Sequence, residues 1–182
     1  MWRRRQGGLD PARLVFIDES SAKTNMTRLR GRAQRGKRVR AAAPRGHWHT
    51  TTMISSIRYD GSSACMMIDG AVDTEIFGVY VREVLAPTLK PGDLVIMDNL
   101  AAHKSSAVQD TIEKRGAHVV FLPAYSPDLN PIEKMWSKVK ERLRAWEART
   151  AGDLLQALGQ ALRSVTAQNA RAWFAHCGYN FI

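Results

Sequence analysis

The sequence predicts an α/β fold in which one mixed five-stranded sheet is flanked by helices. Three short apolar runs come first along the chain and predict strands. Two further strands then alternate with helical segments, and the end of the chain is helical in pattern. The chain has 182 residues, which is enough for one domain with a hydrophobic core, and it contains no internal repeat.

The first half of the chain predicts three strands. Leu14 to Ile17 is an apolar run that ends in Asp18-Glu19, which indicates a buried strand with acids at its C-terminal end. Thr50 to Ile57 and Ser63 to Ile68 are the next two strands. Asp60-Gly61 between them is a hairpin turn signal, so these two strands are expected to pair.

Helices and strands alternate in the second half. Asp73 is a candidate N-cap for the first of these helices, and Gly116 ends the second. The predicted elements are helix 74–85, strand 94–97, helix 105–115, strand 118–122 and helices 131–146, 150–165 and 168–175. Residues 14–182 are therefore expected to form one domain behind a basic lead-in or linker at residues 1–13.

The net charge of the chain favours a polyanionic partner. Lys and Arg number 27 against 17 Asp and Glu, for a net charge of +10, which points to nucleic acid. No apolar run is long enough for a transmembrane helix, and no basic amphipathic segment indicates a membrane anchor. The two cysteines, Cys65 and Cys177, are too few and too far apart for a disulfide framework or a Cys-rich zinc site.

Residues 23–45 form a basic arm inserted between the first two predicted strands. The arm holds nine Lys or Arg and no Asp or Glu. Nine uncompensated charges repel one another unless an anionic partner is present, although a solvated loop is the alternative. The candidate DNA contacts of the arm are Arg35, Lys37, Arg38 and Arg40.

Three acids are expected at one edge of the sheet. Asp18 and Asp98 each follow an apolar strand, so their carboxylates emerge side by side if the first and fourth strands are neighbours. Glu133 lies one turn into the helix after the fifth strand and can approach the same edge. Three such oxygen ligands suit Mg²⁺ or Mn²⁺. Two ions about 3.5–4 Å apart can activate a water or a 3′-hydroxyl and stabilise the leaving oxygen of a phosphodiester.

Each of these acids also has a purely structural interpretation. Asp is common at turns, so Asp18 and Asp98 are alternatively ordinary strand ends. Asn130, Pro131 and Glu133 match the N-cap, N1 and N3 positions of a capping box, which would give Glu133 a structural role.

Further candidates flank the acids. His103 follows Asp98 closely and could contact the scissile phosphate, orient a metal ligand or make a structural hydrogen bond. Trp136 has the helical spacing of a core residue, with base stacking as the alternative. A second face of the same helix carries Glu133, Ser137, Lys140 and Arg144. Lys140 and Arg144 on that face would bind phosphates beside the acids, unless the face is merely solvated.

Three motifs in this order resemble the Tc/mariner superfamily of DDE transposases, in its bacterial insertion-sequence branch. The motifs are Phe16–Ser20, Val95–His103 and Pro123–Glu133. Between Asp98 and Glu133 lie 34 residues, the spacing of the DD34E subgroup. The resemblance runs from about Leu9 to Tyr179.

The resemblance implies a ribonuclease H-like fold in which Asp18, Asp98 and Glu133 are the catalytic, metal-binding triad for two Mg²⁺ or Mn²⁺ ions. It implies cleavage at transposon ends by activated water, followed by attack of a 3′-hydroxyl on target DNA at TA dinucleotides. It also implies a homodimer, in which the arm is a clamp loop that reaches the partner subunit. A bacterial protein of this kind is expected in the cytoplasm, with the nucleoid.

One departure from the resembled family concerns DNA recognition. Family members carry helix-turn-helix modules before the catalytic domain, whereas only about 13 residues precede the first predicted strand here. We expect either that the chain is a fragment or that a separate polypeptide supplies the module.

Two other functions are alternatives. The first is a different ribonuclease H-like nuclease, such as a Holliday-junction resolvase or an RNA–DNA hybrid nuclease, against which the Tyr125–Pro131 run argues. The second is an inactive DNA-binding remnant, against which the complete set of acids argues.

Overall fold

The computed structural model describes residues 2–42, 44–45 and 48–181. Met1 of the predicted lead-in, Ala43 of the predicted arm and Ile182 lie outside these ranges. The strands are β1 (Leu14–Lys23), β2 (Thr50–Arg58), β3 (Cys65–Asp69), β4 (Leu94–Met97) and β5 (His118–Phe121). The helices are α1 (Trp2–Gln6), α2 (Thr74–Val79), α3 (Ser106–Glu113), α4 (Pro131–Trp146), α5 (Ala151–Arg163) and α6 (Ala167–His176).

The five strands form one mixed sheet in the order β3-β2-β1-β4-β5. β1 pairs antiparallel with β2, which pairs antiparallel with β3, whereas β4 lies parallel to both β1 and β5. The prediction of a mixed five-stranded sheet flanked by helices is confirmed. The first and fourth strands are neighbours, as the expected convergence of Asp18 and Asp98 requires.

Helices cover both faces of the sheet, and β1 contributes to both layers. Leu14 and Phe16 belong to one buried cluster with residues of α4, α5 and α6. Val15 and Ile17 belong to a second cluster with residues of α2 and α3. Side chains alternate along a strand, so Asp18 follows Phe16 onto the α4 side and Glu19 follows Ile17 onto the α2 side.

Two predicted elements have different bounds in the structure. β1 continues past its apolar run to Lys23 because these residues pair with β2 as far as Thr50, so Asp18 lies within a strand rather than at its end. The predicted helix 74–85 is α-helical only as far as Val79. It continues as a π-helix over Tyr80–Leu85 and a 3₁₀ turn over Ala86–Thr88, where Pro87 lacks the N–H that a continuing helix needs.

The predicted lead-in contacts the C-terminal part of the chain. The Trp2 indole donates to the Tyr179 hydroxyl at 3.2 Å, and the buried Gln6 amide donates to the Cys177 carbonyl at 2.9 Å. A five-residue helix such as α1 is marginal by itself, so these contacts account for its order.

The predicted arm crosses the surface as an irregular segment. Its described residues after Lys23, which are 24–42 and 44–45, contain no helix or strand, and most of their side chains are exposed. Arg149, after α4, donates to the carbonyls of Thr24 at 3.2 Å and Met26 at 2.8 Å, which holds the start of the arm against the domain. None of the helices in the described part of the chain is both long and apolar enough to cross a membrane.

Candidate active site

The pairing of β1 with β4 brings Asp18 next to Asp98. The parallel ladder pairs Leu14 with Leu94 and Phe16 with Ile96. Continuing this register along both strands sets Asp18 opposite Asp98. Since β4 ends at Met97, Asp98 begins the loop after this strand, while β1 continues alongside β2.

An open cleft of about 370 Å³ contains all three predicted acids. Asp18 enters it from β1, Asp98 from the end of β4 and Glu133 from the first turn of α4. The remaining wall consists of residues 99–100, residues 122–127 and Asn130. Asp18 and Asp98 are half-buried, whereas Glu133 is exposed.

The cleft is an unfavourable place for an ionised Asp18. Burial, and after it the negative charges of Glu133, Glu19 and Asp98, raise the pKa of the Asp18 carboxyl to about 8. Within the described ranges, no three His, Cys, Asp or Glu side chains lie close enough together to form a preformed metal-binding site. The three acids therefore line the same cleft, but their carboxylates do not converge on one metal position.

We expect Asp18→Asn to stabilise the metal-free protein, and to do so more at pH 8 than at pH 5. Asp18 has a pKa of about 8 in the folded protein and an ordinary value of 3.8. Between these values the folded state keeps a proton that the unfolded state has lost, so wild-type stability falls as pH rises. Melting in EDTA from about pH 4 to 8.5 measures the difference, at about 2–4 °C for each kcal/mol.

The exposed Asp69, at the end of β3, provides the matched control for this experiment. Asp69→Asn removes an acid outside the cleft and is expected to change the melting temperature only slightly. A pH-independent gain for Asp18→Asn would contradict the expected proton uptake by Asp18.

His103 lies buried between two carboxylates. Its Nδ1 is 2.7 Å from Oδ1 of Asp98, and its Nε2 is 2.8 Å from Oε1 of Glu19. Burial lowers the pKa of His103, but the hydrogen bond and charge of Glu19 and the charge of Asp98 leave the pKa above its ordinary value. The ring packs on Phe77, with centroids 4.3 Å apart. The imidazole is fully buried, which suits the interpretations of His103 as a residue that orients a ligand or makes a structural hydrogen bond.

The capping-box interpretation of Asn130 and Glu133 is wrong. Asn130 is the N-cap of α4 but makes no side-chain capping bond. Glu133 is held there by its backbone N–H, which donates to the Asn130 carbonyl at 3.2 Å. Its side chain lines the cleft. The Oδ1 atom of Asn130 is buried without a hydrogen-bond partner among the described residues.

The predicted DNA contacts on α4 and the arm lie outside the cleft. Ser137 and Arg144 line a second groove together with Arg28 and Arg30 of the arm, and Lys140 is half-buried on the same helix. The candidate DNA contacts of the arm, Arg35, Lys37, Arg38 and Arg40, are all exposed. Trp136 is buried, which confirms its interpretation as a core residue.

Sequence reasoning missed three residues around the cleft. Glu19 contacts His103, Asn99 donates to the Leu122 carbonyl at 2.7 Å, and Tyr125 is fully exposed at the cleft with a left-handed φ of 55°. Glu19 and Asn99 each follow a predicted acid directly, which was the available signal. Their partners are distant in sequence, so no local pattern identifies the contacts.

The comparisons with known proteins agree on one family. A family model described as "DDE superfamily endonuclease" matches residues 13–155. The Tc1 transposase of Caenorhabditis elegans is 30% identical over 90 residues, which cover 50% of this chain and 33% of that protein. The Tcb1 transposase of Caenorhabditis briggsae is 35% identical over 68 residues, which cover 37% of this chain and 25% of that protein. The matched part thus spans a third or less of either relative.

Solved structures share the fold at low sequence identity. A Mos1 transposase paired-end complex with left transposon end superposes with a TM-score of 0.72 at 16% identity, over 94% of this chain and 54% of that one. The catalytic core domain of BIV integrase gives a TM-score of 0.56 at 14% identity, over 93% of this chain and 99% of that one. These likenesses confirm the ribonuclease H-like fold.

Proposed function

Because this chain belongs to the DDE superfamily of endonucleases, we propose that it cuts DNA strands at transposon ends and joins them to target DNA. The observation that carries the proposal is the cleft in which Asp18, Asp98 and Glu133 lie together, in a chain of net charge +10. From the family resemblance we further propose TA target sites, a homodimer and a helix-turn-helix module on another segment or chain. The activity would then belong to the bacterial cytoplasm, where the nucleoid DNA lies.

Asp18, Asp98 and Glu133 are the residues that would hold the metal. Their carboxylate oxygens are the ligands that Mg²⁺ and Mn²⁺ prefer, and Mg²⁺ keeps several waters, which suits acids that line an open cleft. The raised pKa of Asp18 supports this assignment, because a bound cation would stabilise the ionised carboxylate. Two bound ions would supply an activated water or 3′-hydroxyl and stabilise the leaving oxygen.

The protein's own groups orient the cleft and bind the DNA backbone. Asp98 Oδ1 accepts a hydrogen bond from the Leu100 N–H at 3.0 Å and lies 2.7 Å from Nδ1 of His103, and these two contacts fix its carboxylate. The Asn99 bond to Leu122 ties the loop after β4 to the end of β5. Arg144 lies on α4, the helix that carries Glu133, and would bind a phosphate of the strand that enters the cleft.

A strand-transfer assay tests this proposal. Labelled duplexes with free 3′-hydroxyl ends are incubated with the chain, a supercoiled plasmid and Mg²⁺ or Mn²⁺, beside an Asp98→Asn sample. Joined duplex–plasmid products that require metal and Asp98 are expected. Nicking without joining would indicate a different ribonuclease H-like nuclease. DNA binding without any metal-dependent product would indicate an inactive remnant.

The arm is expected to bind DNA phosphates without reading sequence. Replacing its four candidate DNA-binding residues (Arg35, Lys37, Arg38 and Arg40) with Gln should weaken binding about equally for unrelated duplexes. The slope of log affinity against log salt should become shallower by about 0.9 for each phosphate that the arm no longer neutralises. Fluorescence anisotropy between about 50 and 200 mM salt measures both the affinity and the slope.

Arg82→Gln is the control for the arm variant, because Arg82 is exposed and paired with Glu83 at 2.7 Å. It should leave the slope unchanged. If the arm variant also keeps the wild-type slope, the arm does not touch DNA, and subunit pairing becomes its proposed role.

A further inference from the structure

The backbones that carry Asp18 and Asp98 separate at the candidate site. The parallel ladder between β1 and β4 ends at the Phe16–Ile96 pair. Beyond it β1 remains paired with β2, while β4 ends and Asp98 begins a loop. Backbone hydrogen bonds of the β1–β4 ladder therefore do not hold the two acids at a set separation.

A bridge of side chains, Glu19–His103–Asp98, connects the two backbones, and its Glu19 end lies on the face of the sheet opposite Asp18. Glu19 belongs to the α2 side of β1, and its Oε1 atom lies 2.8 Å from Nε2 of His103. The other ring nitrogen of His103 lies 2.7 Å from Asp98 Oδ1. The imidazole thus connects β1 to the loop after β4, close to where their ladder ends.

The bridge occupies one particular oxygen of Asp98. Oδ1 accepts a hydrogen bond from the Leu100 N–H and lies 2.7 Å from His103 Nδ1, which is also 3.4 Å from the Asp98 backbone carbonyl oxygen. No hydrogen bond to Oδ2 occurs among the described residues. The His103 side chain is 1% exposed, whereas that of Asp98 is 43% exposed. The carboxylate is therefore anchored by one oxygen, which leaves the other able to take a ligand.

The bridge is poorly suited to stabilising the fold. The Oε2 atom of Glu19 is buried and has no hydrogen-bond partner within the described ranges. A buried carboxylate with incomplete hydrogen bonding destabilises a protein, because its desolvation is not offset. Orientation of a metal ligand offers another reason for the arrangement, since residues that hold a ligand in place strengthen metal binding.

We propose that Glu19 and His103 are positioning residues that hold Asp98 opposite Asp18 in the orientation that binds a divalent cation. This inference rests on the proposed function of the acids as metal ligands. Glu19 and His103 act through Asp98 and do not themselves touch the metal or the DNA.

Mn²⁺ binding by the whole chain, measured by calorimetry without DNA, tests the bridge. His103→Asn is expected to weaken Mn²⁺ binding by about 10–100-fold, the usual effect of removing a residue that orients a metal ligand. His118→Asn is the matched control, because His118 is exposed at the start of β5, and it should bind Mn²⁺ as the wild type does. Wild-type affinity in folded His103→Asn would overturn the proposal.

Two further variants keep the test decisive. Glu19→Leu removes the far end of the bridge and a buried charge with incomplete hydrogen bonding, so it reports on the bridge even if His103→Asn does not fold. Weaker Mn²⁺ binding by Glu19→Leu supports the proposal, and unchanged binding overturns it. Asp98→Asn distinguishes a failure of the bridge proposal from a failure of the proposed metal site. If Asp98→Asn binds Mn²⁺ as well as the wild type does, the proposed metal site is wrong, whatever the bridge variants show.

Discussion

Asp98→Asn is expected to abolish metal-dependent DNA cleavage and joining while the protein stays folded. Asn removes a negative ligand but keeps an oxygen that can accept from the Leu100 N–H, so the local structure should persist. Loss of several kcal/mol of transition-state stabilisation, at about 1.4 kcal/mol for each tenfold, predicts a rate at least about a thousandfold lower. Product formation in Mg²⁺ and in Mn²⁺ measures the effect.

Asp18→Asn and Glu133→Gln should give the same loss, because each removes one charge from the same cleft. Asp110→Asn, an exposed acid on α3, is the control and should keep full activity. Full Mg²⁺-dependent activity in any of the three cleft variants would refute the assignment of that acid.

The largest stability effect is expected at the ion pair of Arg58 and Asp93. The Arg58 guanidinium lies 2.6 Å from the Asp93 carboxylate, with side chains 12% and 5% exposed. The same carboxylate also accepts from the Lys90 N–H at 2.7 Å. Asp93→Ala would leave Arg58 buried without its counter-charge, and should lower the free energy of unfolding by about 3–5 kcal/mol. Urea unfolding measures this decrease.

Glu83→Ala is the control for that experiment. It breaks the pair with Arg82, whose side chain, like that of Glu83, is 61% exposed, so it should change stability by about 1 kcal/mol or less. A similarly small effect for Asp93→Ala would show that water reaches the Arg58 pair. Asp93 precedes β4, whereas Asp98 follows it, so the folded fraction of Asp93→Ala should retain the proposed DNA-processing activity.

The sequence by itself determined the order of elements and the three acids of the cleft. Apolar runs and helical spacing placed most of the strands and helices to within about two residues of their observed ends. This worked because each element buries one face, and burial imposes a period that is visible locally. The motifs around Asp18, Asp98 and Glu133 identified the family because the residues of each motif are contiguous in the chain.

Only the tertiary structure decided what surrounds those acids. β1 extends past Ile17 because pairing with β2 supplies hydrogen bonds that no local pattern reveals. His103 is buried beside Asp98 and contacts Glu19, which is 84 residues away in the sequence, so no local pattern reveals this contact. Asn130 resembles a side-chain cap in sequence, yet its side chain makes no capping bond. Sequence periodicity reports which face an element buries, whereas a side chain's hydrogen-bond partner depends on which elements become neighbours in the fold.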